Sequence, residues 1–153
     1  MRLLLSLALL TASWSALAQN LIGTVIGISS GDTISIQVRS AKYKVRLHEI
    51  NAPYLDKPWG NEARYALANK IYKKRVRVKT IGPPRSRQVI GKVTFDGRDI
   101  NREMVAEGHA RVSRKYMQDE SLLEVEAAAR AQGLGQWSLQ TPAKSEEKQT
   151  DEP

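Results

Sequence analysis

The sequence predicts an α+β domain whose core is a small, strongly curved sheet, and three observations carry that prediction. Short stretches of alternating apolar and polar residues are separated by tight-turn signals, a helical period follows the third stretch, and two more helical segments lie near the end. Leu21 to Ile28 is rich in β-branched residues and runs into the turn signal Ser29-Ser30-Gly31-Asp32. Thr33 to Val38 alternates, with Ile34, Ile36 and Val38 on one face. After Arg39-Ser40-Ala41, Tyr43, Val45 and Leu47 share a face opposite Lys44 and Arg46, which completes an antiparallel meander. Pro53 and Pro58 punctuate a loop, and Asn61 to Lys73 carries Ala63, Leu67 and Ile71 at helical spacing. Arg75 to Thr80 alternates again, and a polar loop from Gly82 to Gln88 leads to a fifth strand, Val89 to Phe95, closed by Asp96-Gly97. Asn101 to Glu107 is a short helix stopped by Gly108, and Ala110 to Ser113 is a brief extended piece. Ser121 to Ala131 is a helix with Ser121 and Glu124 at capping-box spacing and Gly133 as its terminator. Strands and helices do not alternate as in a doubly wound fold. A curved sheet of this size closes into an OB-type five-stranded antiparallel β-barrel, here with three α-helices.

The two ends read differently from this domain. Met1 and Arg2 open a positive region, Leu3 to Leu10 is an apolar run, and Ala16-Leu17-Ala18 before Gln19 fits a small-x-small cleavage rule. Residues 1–18 are therefore expected to be a signal peptide, cleaved near Ala18, with the mature protein periplasmic or secreted. The apolar run is shorter than the roughly 20 residues of a membrane span, and no later segment is apolar enough to form one. Thr141 to Pro153 has no apolar period and is expected to be a disordered polar tail. The domain is then residues 19–140. The chain contains no cysteine, which excludes thiol chemistry and disulfides. With 24 basic and 16 acidic residues the chain is +8; without its two ends it keeps 21 and 12, or +9. Such a surplus suits polyanions: nucleic acid, anionic lipid or acidic polymer.

With the elements placed, several segments resemble the staphylococcal-nuclease (thermonuclease) family. Ser30-Gly31-Asp32-Thr33 resembles that family's Asp-Gly-Asp-Thr turn after the first strand. Val45-Arg46-Leu47 followed by Ile50-Asn51-Ala52-Pro53 resembles its Arg-Leu-x-x-Ile-Asp-x-Pro-Glu segment. Pro58-Trp59-Gly60 with Glu62-Ala63 is similar to the lead-in to its first helix. Asp96-Gly97, Asn101, Gly108, Glu126 and Trp137 fall where the family has its hairpin turn, second helix and C-terminal helix. The match spans Ile22 to Trp137 without a large gap.

The resemblance implies cleavage of DNA and RNA with Ca²⁺. That chemistry needs oxygen ligands for a hard cation, a carboxylate to activate water, and guanidinium groups to stabilise charge on the phosphoryl group. By resemblance, Asp32 stands at a metal-ligand position and Arg46 at the first catalytic arginine. Asn51 stands where the family has a second metal-binding Asp, which keeps a carbonyl oxygen but loses a charge. Ala52 replaces a Thr whose backbone carbonyl is a further ligand. Tyr54 occupies the position of the water-activating Glu, and a phenol with a pKa of about 10 is a poor base at neutral pH. Gln88 falls on the second arginine. Arg85 or Arg87 could replace that guanidinium through a slipped loop, and Glu49 or Asp56 could replace the carboxylate.

Other candidates have simpler explanations. His48 and His109 lack a second His or Cys at metal spacing. Lys70 to Lys79 is the densest basic run and, with Arg85, Arg87, Arg111, Arg114 and Lys115, could track phosphates, while Tyr116 and Trp59 could stack on bases. The expected function is sequence-non-specific binding of DNA or RNA by a monomer, with cleavage absent or much reduced and Ca²⁺ held weakly or not at all. Two alternatives stand beside it: an active Ca²⁺-dependent endonuclease, and a module that binds a protein or an envelope polymer.

Overall fold

The computed structural model describes residues 20–140; the expected signal peptide (residues 1–18) and polar tail (residues 141–153) lie outside the described residues. The chain runs β1 (Asn20–Ser30), β2 (Thr33–Val38), β3 (Ala41–Leu47), β4 (Ile50–Asn51), α1 (Gly60–Ile71), β5 (Arg75–Thr80), β6 (Gln88–Phe95), β7 (Arg98–Asp99), α2 (Ile100–Ala106), β8 (Arg111–Val112) and α3 (Ser121–Ala131), then a 3₁₀ turn over Gly135–Gln140.

Five long strands form the barrel in the order β3-β2-β1-β5-β6, and a β3–β6 pairing closes it. Four pairings are antiparallel, as the alternating meander predicts, but the closing pair is parallel, with Val45 opposite Val89. The reason is topological. Around a closed ring, an odd number of strands cannot alternate direction at every step, so one pairing must be parallel and the barrel is mixed. β1 serves both halves of the ring: Thr24 to Ser30 pairs with β2 and Asn20 to Thr24 with β5, with register irregularities at Val25/Gly27 and Ile28/Ser30. Such bulges bend a strand and raise its twist, which closure of so small a sheet requires.

The inward positions are those the alternation predicts. Val25, Ile34, Ile36, Val45, Val76, Val78, Val89 and Val93 are all buried, and Leu67 and Ile71 of α1 with Ile100, Met104 and Val105 of α2 belong to the same cluster. Each buried aliphatic side chain contributes about 1.5–3 kcal/mol relative to exposure. Asn101 ties helix to barrel: its Oδ1 accepts the Val93 N–H at 2.9 Å, and its Nδ2 donates to the His48 carbonyl at 2.9 Å.

Two details differ from the sequence pattern. At α3 the capping box does not form; the Asp119 carboxylate instead accepts both the Ser121 backbone N–H, at 3.0 Å, and the Ser121 hydroxyl. The brief extended piece at 110–113 pairs with β4, Ile50 opposite Val112, and the buried Glu126 of α3 accepts the Val112 N–H at 2.9 Å. This small ladder and α3 lock the segment that carries Asn51.

Candidate functional site

Residues separated by up to 20 positions meet where the β1–β2 turn faces the ends of β3 and β4. Gly31 allows the approach: a Cβ there would lie 2.7 Å from the Cβ atoms of both Ala52 and Ala63. The Asp32 side chain is buried and fully engaged. Its Oδ1 accepts the hydroxyls of Ser30 and Thr33 at 2.8 and 3.0 Å, and its Oδ2 accepts the Ala52 N–H at 3.0 Å. Arg46, on the outer face of β3, reaches the same place. Its Nη2 lies 3.5 Å from Asp32 Oδ2 and donates to Asn51 Oδ1 at 2.7 Å, while half of its side chain stays in solvent. Asp32, Arg46, Asn51 and Ala52 therefore form one cluster.

Beside it lies a cleft of about 750 Å³ lined by Thr33, Lys44, Arg46, Arg85, Gln88 and Tyr116, among others. Gln88 opens β6 opposite Lys44, so the strand pairing that closes the barrel also builds the cleft wall. Residues 85–88 form a tight hairpin turn: Arg85 and Gln88 exchange both backbone hydrogen bonds, at 3.0 and 2.8 Å, across Ser86 and Arg87 with φ of 48° and 63°. Directly opposed residues in an antiparallel pair present their side chains on one face. Arg85 thus shares the cleft with Gln88 and Arg46. Arg87 is not in that lining; it lines an adjoining depression with Lys42, Tyr43, Lys44 and Gln88, and its carbonyl accepts the Lys44 N–H.

The carboxylates considered as substitutes do not line this cleft. Glu49 breaks the alternation after β3 with a φ of 66°, and it lines a neighbouring depression with Arg46, Asn51 and Tyr116. Its buried carboxylate accepts the backbone N–H groups of Gln118 and Asp119 and anchors the loop before α3. Asp56 is exposed and lies 3.6 Å from Lys57. Tyr54 is 76% exposed and lines a different depression, which includes Asn51 and Ala52 of the cluster together with Lys57, Arg111 and Gln136. Tyr116 faces the cleft, whereas Trp59 donates from Nε1 to His109 Nδ1 at 3.1 Å with the two rings stacked. Burial lowers the His109 pKa, which favours the neutral imidazole that can accept this bond. His48 is buried, and its Nε2 has no hydrogen-bond partner among the described residues. Lys70, from the basic run, is engaged with Glu103 and Glu107 at 3.1 and 2.6 Å.

The donor set is a poor match for Ca²⁺. Asp32 is the one carboxylate in the cluster, both of its oxygens already accept hydrogen bonds, and Asn51 Oδ1 accepts from Arg46. Among the described residues no group of three or more His, Asp or Glu side chains comes together. A hard divalent cation favours six to eight oxygen ligands, several of them anionic. What the arrangement presents instead is a cationic rim, Arg46, Arg85 and Lys44, over neutral hydrogen-bonding groups.

A closed five-strand barrel carrying an acidic turn against a strand-borne arginine defines a nuclease-fold domain, and comparison of the sequence agrees. The chain belongs to the family described as staphylococcal nuclease homologue, whose profile matches residues 44–139. It is 34% identical to an uncharacterized endonuclease of Haemophilus influenzae, over 77% of this chain and 67% of that protein. It is 30% identical to an uncharacterized endonuclease of Escherichia coli, over 93% and 94%. It is also 35% identical to a micrococcal nuclease of Shigella flexneri, over 76% and 73%.

Proposed function

We propose that this protein binds single-stranded DNA or RNA through backbone phosphates, without reading sequence, and that its phosphodiester cleavage is absent or much reduced. The carrying observation is a cationic cleft whose lining, among the described residues, includes no carboxylate. Arg46 and Arg85 offer planar, paired N–H donors suited to phosphate oxygens. Tyr116 adds an aromatic face on which any base can stack. Phosphate contacts and base stacking carry no base-edge readout, so recognition through them is general. General-base catalysis contributes about 10²–10⁴-fold where it operates. Here one oxygen of Glu49 is committed to the backbone of 118–119, and Glu49, Asp56 and Tyr54 do not line the cleft. The one carboxylate beside Arg46 supports at most weak Ca²⁺ binding. Residues 1–18 support export to the periplasm or beyond, and no helix among the described residues is long and apolar enough to cross a membrane.

A slow Ca²⁺-dependent endonuclease is the second reading. Its support is that Asp32, Arg46 and Asn51 remain in contact, with Arg85 in place of the guanidinium that Gln88 lacks. Incubating the protein with single-stranded DNA and RNA, in Ca²⁺ or in EDTA, separates the two. Binding without metal-dependent cleavage is expected. Cleavage that EDTA stops and Asp32→Ala abolishes would replace the first reading with the second.

A further inference from the structure

A second basic feature lies outside the cleft. β5 presents Arg75, Arg77 and Lys79 to solvent, while Val76, Val78 and Thr80 between them are buried. In an antiparallel strand, alternate residues lie about 6.8 Å apart, so three cations form a straight row about 14 Å long. None of the three has an ion-pair or hydrogen-bond partner among the described residues. Their cross-strand neighbours do not neutralise them either: Thr24, Ile22 and Asn20 stand opposite on β1, and Thr94 and Lys92 opposite Arg77 and Lys79 on β6. Several other cations are paired, although Lys42, Lys44, Arg85 and Arg87 have no acidic partner among the described residues either. Lys70 and Arg98 meet Glu103, Lys92 meets Asp99, Arg102 meets Asp119, and Arg114 meets Glu126. Like charges lined up on one strand face destabilise the sheet unless they are solvated or meet an anion.

The row leads into the cleft. Ile81 and Ile90, which line the cleft, lie two residues on from the Lys79–Lys92 pair, past Thr80 and Gly91, and the Ile81 N–H donates to the Ile90 carbonyl at 2.7 Å. The path from Arg46 across Ile81 and Ile90 to Lys79, Arg77 and Arg75 is thus continuous, and its last three stations are cations evenly spaced along a line. We infer that β5 is a second contact for the same polynucleotide: a track that holds the phosphodiester backbone outside the cleft and makes binding grow tighter with strand length. The inference rests on the nucleic-acid reading above. It goes beyond it by assigning Arg75, Arg77 and Lys79, which do not line the cleft, and by predicting that affinity depends on strand length.

The test compares the full-length protein with a Arg75→Gln, Arg77→Gln, Lys79→Gln triple variant, using fluorescein-labelled oligothymidylates of 4 and 30 nucleotides over a range of salt. The melting temperature should be nearly unchanged, because all three side chains are exposed. Each phosphate contact to a single strand contributes about 0.7 to the slope of log affinity against log salt. The triple variant should therefore lose about 2 from the slope for the 30-mer and keep wild-type affinity for the 4-mer, which the cleft alone holds. An unchanged slope for the 30-mer would overturn the track, as would an equal loss for both lengths. Loss of binding to phosphatidylglycerol vesicles with the 30-mer unaffected would assign the row to a membrane surface and overturn it as well. If the wild-type protein binds neither oligonucleotide, it is the nucleic-acid reading that falls.

Discussion

Arg46 holds two partners that differ in kind. Asn51 supplies a neutral acceptor at 2.7 Å, and Asp32 a negative one at 3.5 Å. In the absence of a cation, Asp32 competes with an incoming phosphate for the guanidinium. Half-exposed ion pairs of this sort are worth about 0.2–1 kcal/mol. Asp32→Asn keeps an oxygen to accept the Ala52 N–H but removes the competing charge, so affinity for a labelled oligonucleotide in EDTA should rise by up to about fivefold in an anisotropy titration. A fall in affinity would mean that Asp32 assists binding. The cluster itself was legible through the family-like segments, because each motif fixed one member. The substitutes were not, since a single dihedral decides them. The turn at Glu49 sends one carboxylate oxygen to the backbone of 118–119, and in the tight hairpin at 85–88 it is Arg85 that lines the cleft with Arg46.

The strands place these residues, and the strands were the readable part of the chain. Alternation fixed which side chains point inward, because a one-residue slip would turn every valine to solvent. Pairing partners carry no such local mark, so the parallel closure and the β4–β8 ladder emerged only in three dimensions. The capping box failed for a related reason: Asp119, just upstream, offers a carboxylate to the same N–H. Gly31 tests how far the turn's placement depends on close approach. Gly31→Ala puts a methyl group 2.7 Å from Ala52 and Ala63 in a packed region, where overpacking costs about 1–3 kcal/mol. Urea denaturation should show a loss of that size. A change below about 0.5 kcal/mol, the ordinary range for surface substitutions, would show that the turn moves aside freely.

Over the whole molecule, charge is divided by architecture. Around α2 several cations are held in ion pairs, with Glu103 drawing in both Lys70 and Arg98 and held below the ordinary carboxylate range chiefly by its hydrogen bond to Arg98. The barrel side leaves Lys42, Lys44, Arg75, Arg77, Lys79, Arg85 and Arg87 without acidic partners among the described residues. Net charge alone announced a polyanion partner, but only the fold shows that Lys44, Arg46 and Arg85 come together in one cleft. Residues of this kind sit far apart in the sequence, and composition cannot place them.

The central claim is that phosphate is held between Arg46 and Arg85. Calorimetric titration of a 5′-phosphorylated trinucleotide in EDTA, with the wild type beside an Arg46→Ala, Arg85→Ala double variant of unchanged melting temperature, tests it most directly. Hydrogen bonds to charged groups contribute about 1.5–3 kcal/mol each, so the double variant should bind at least tenfold more weakly. Equal affinity in the two proteins would contradict the account.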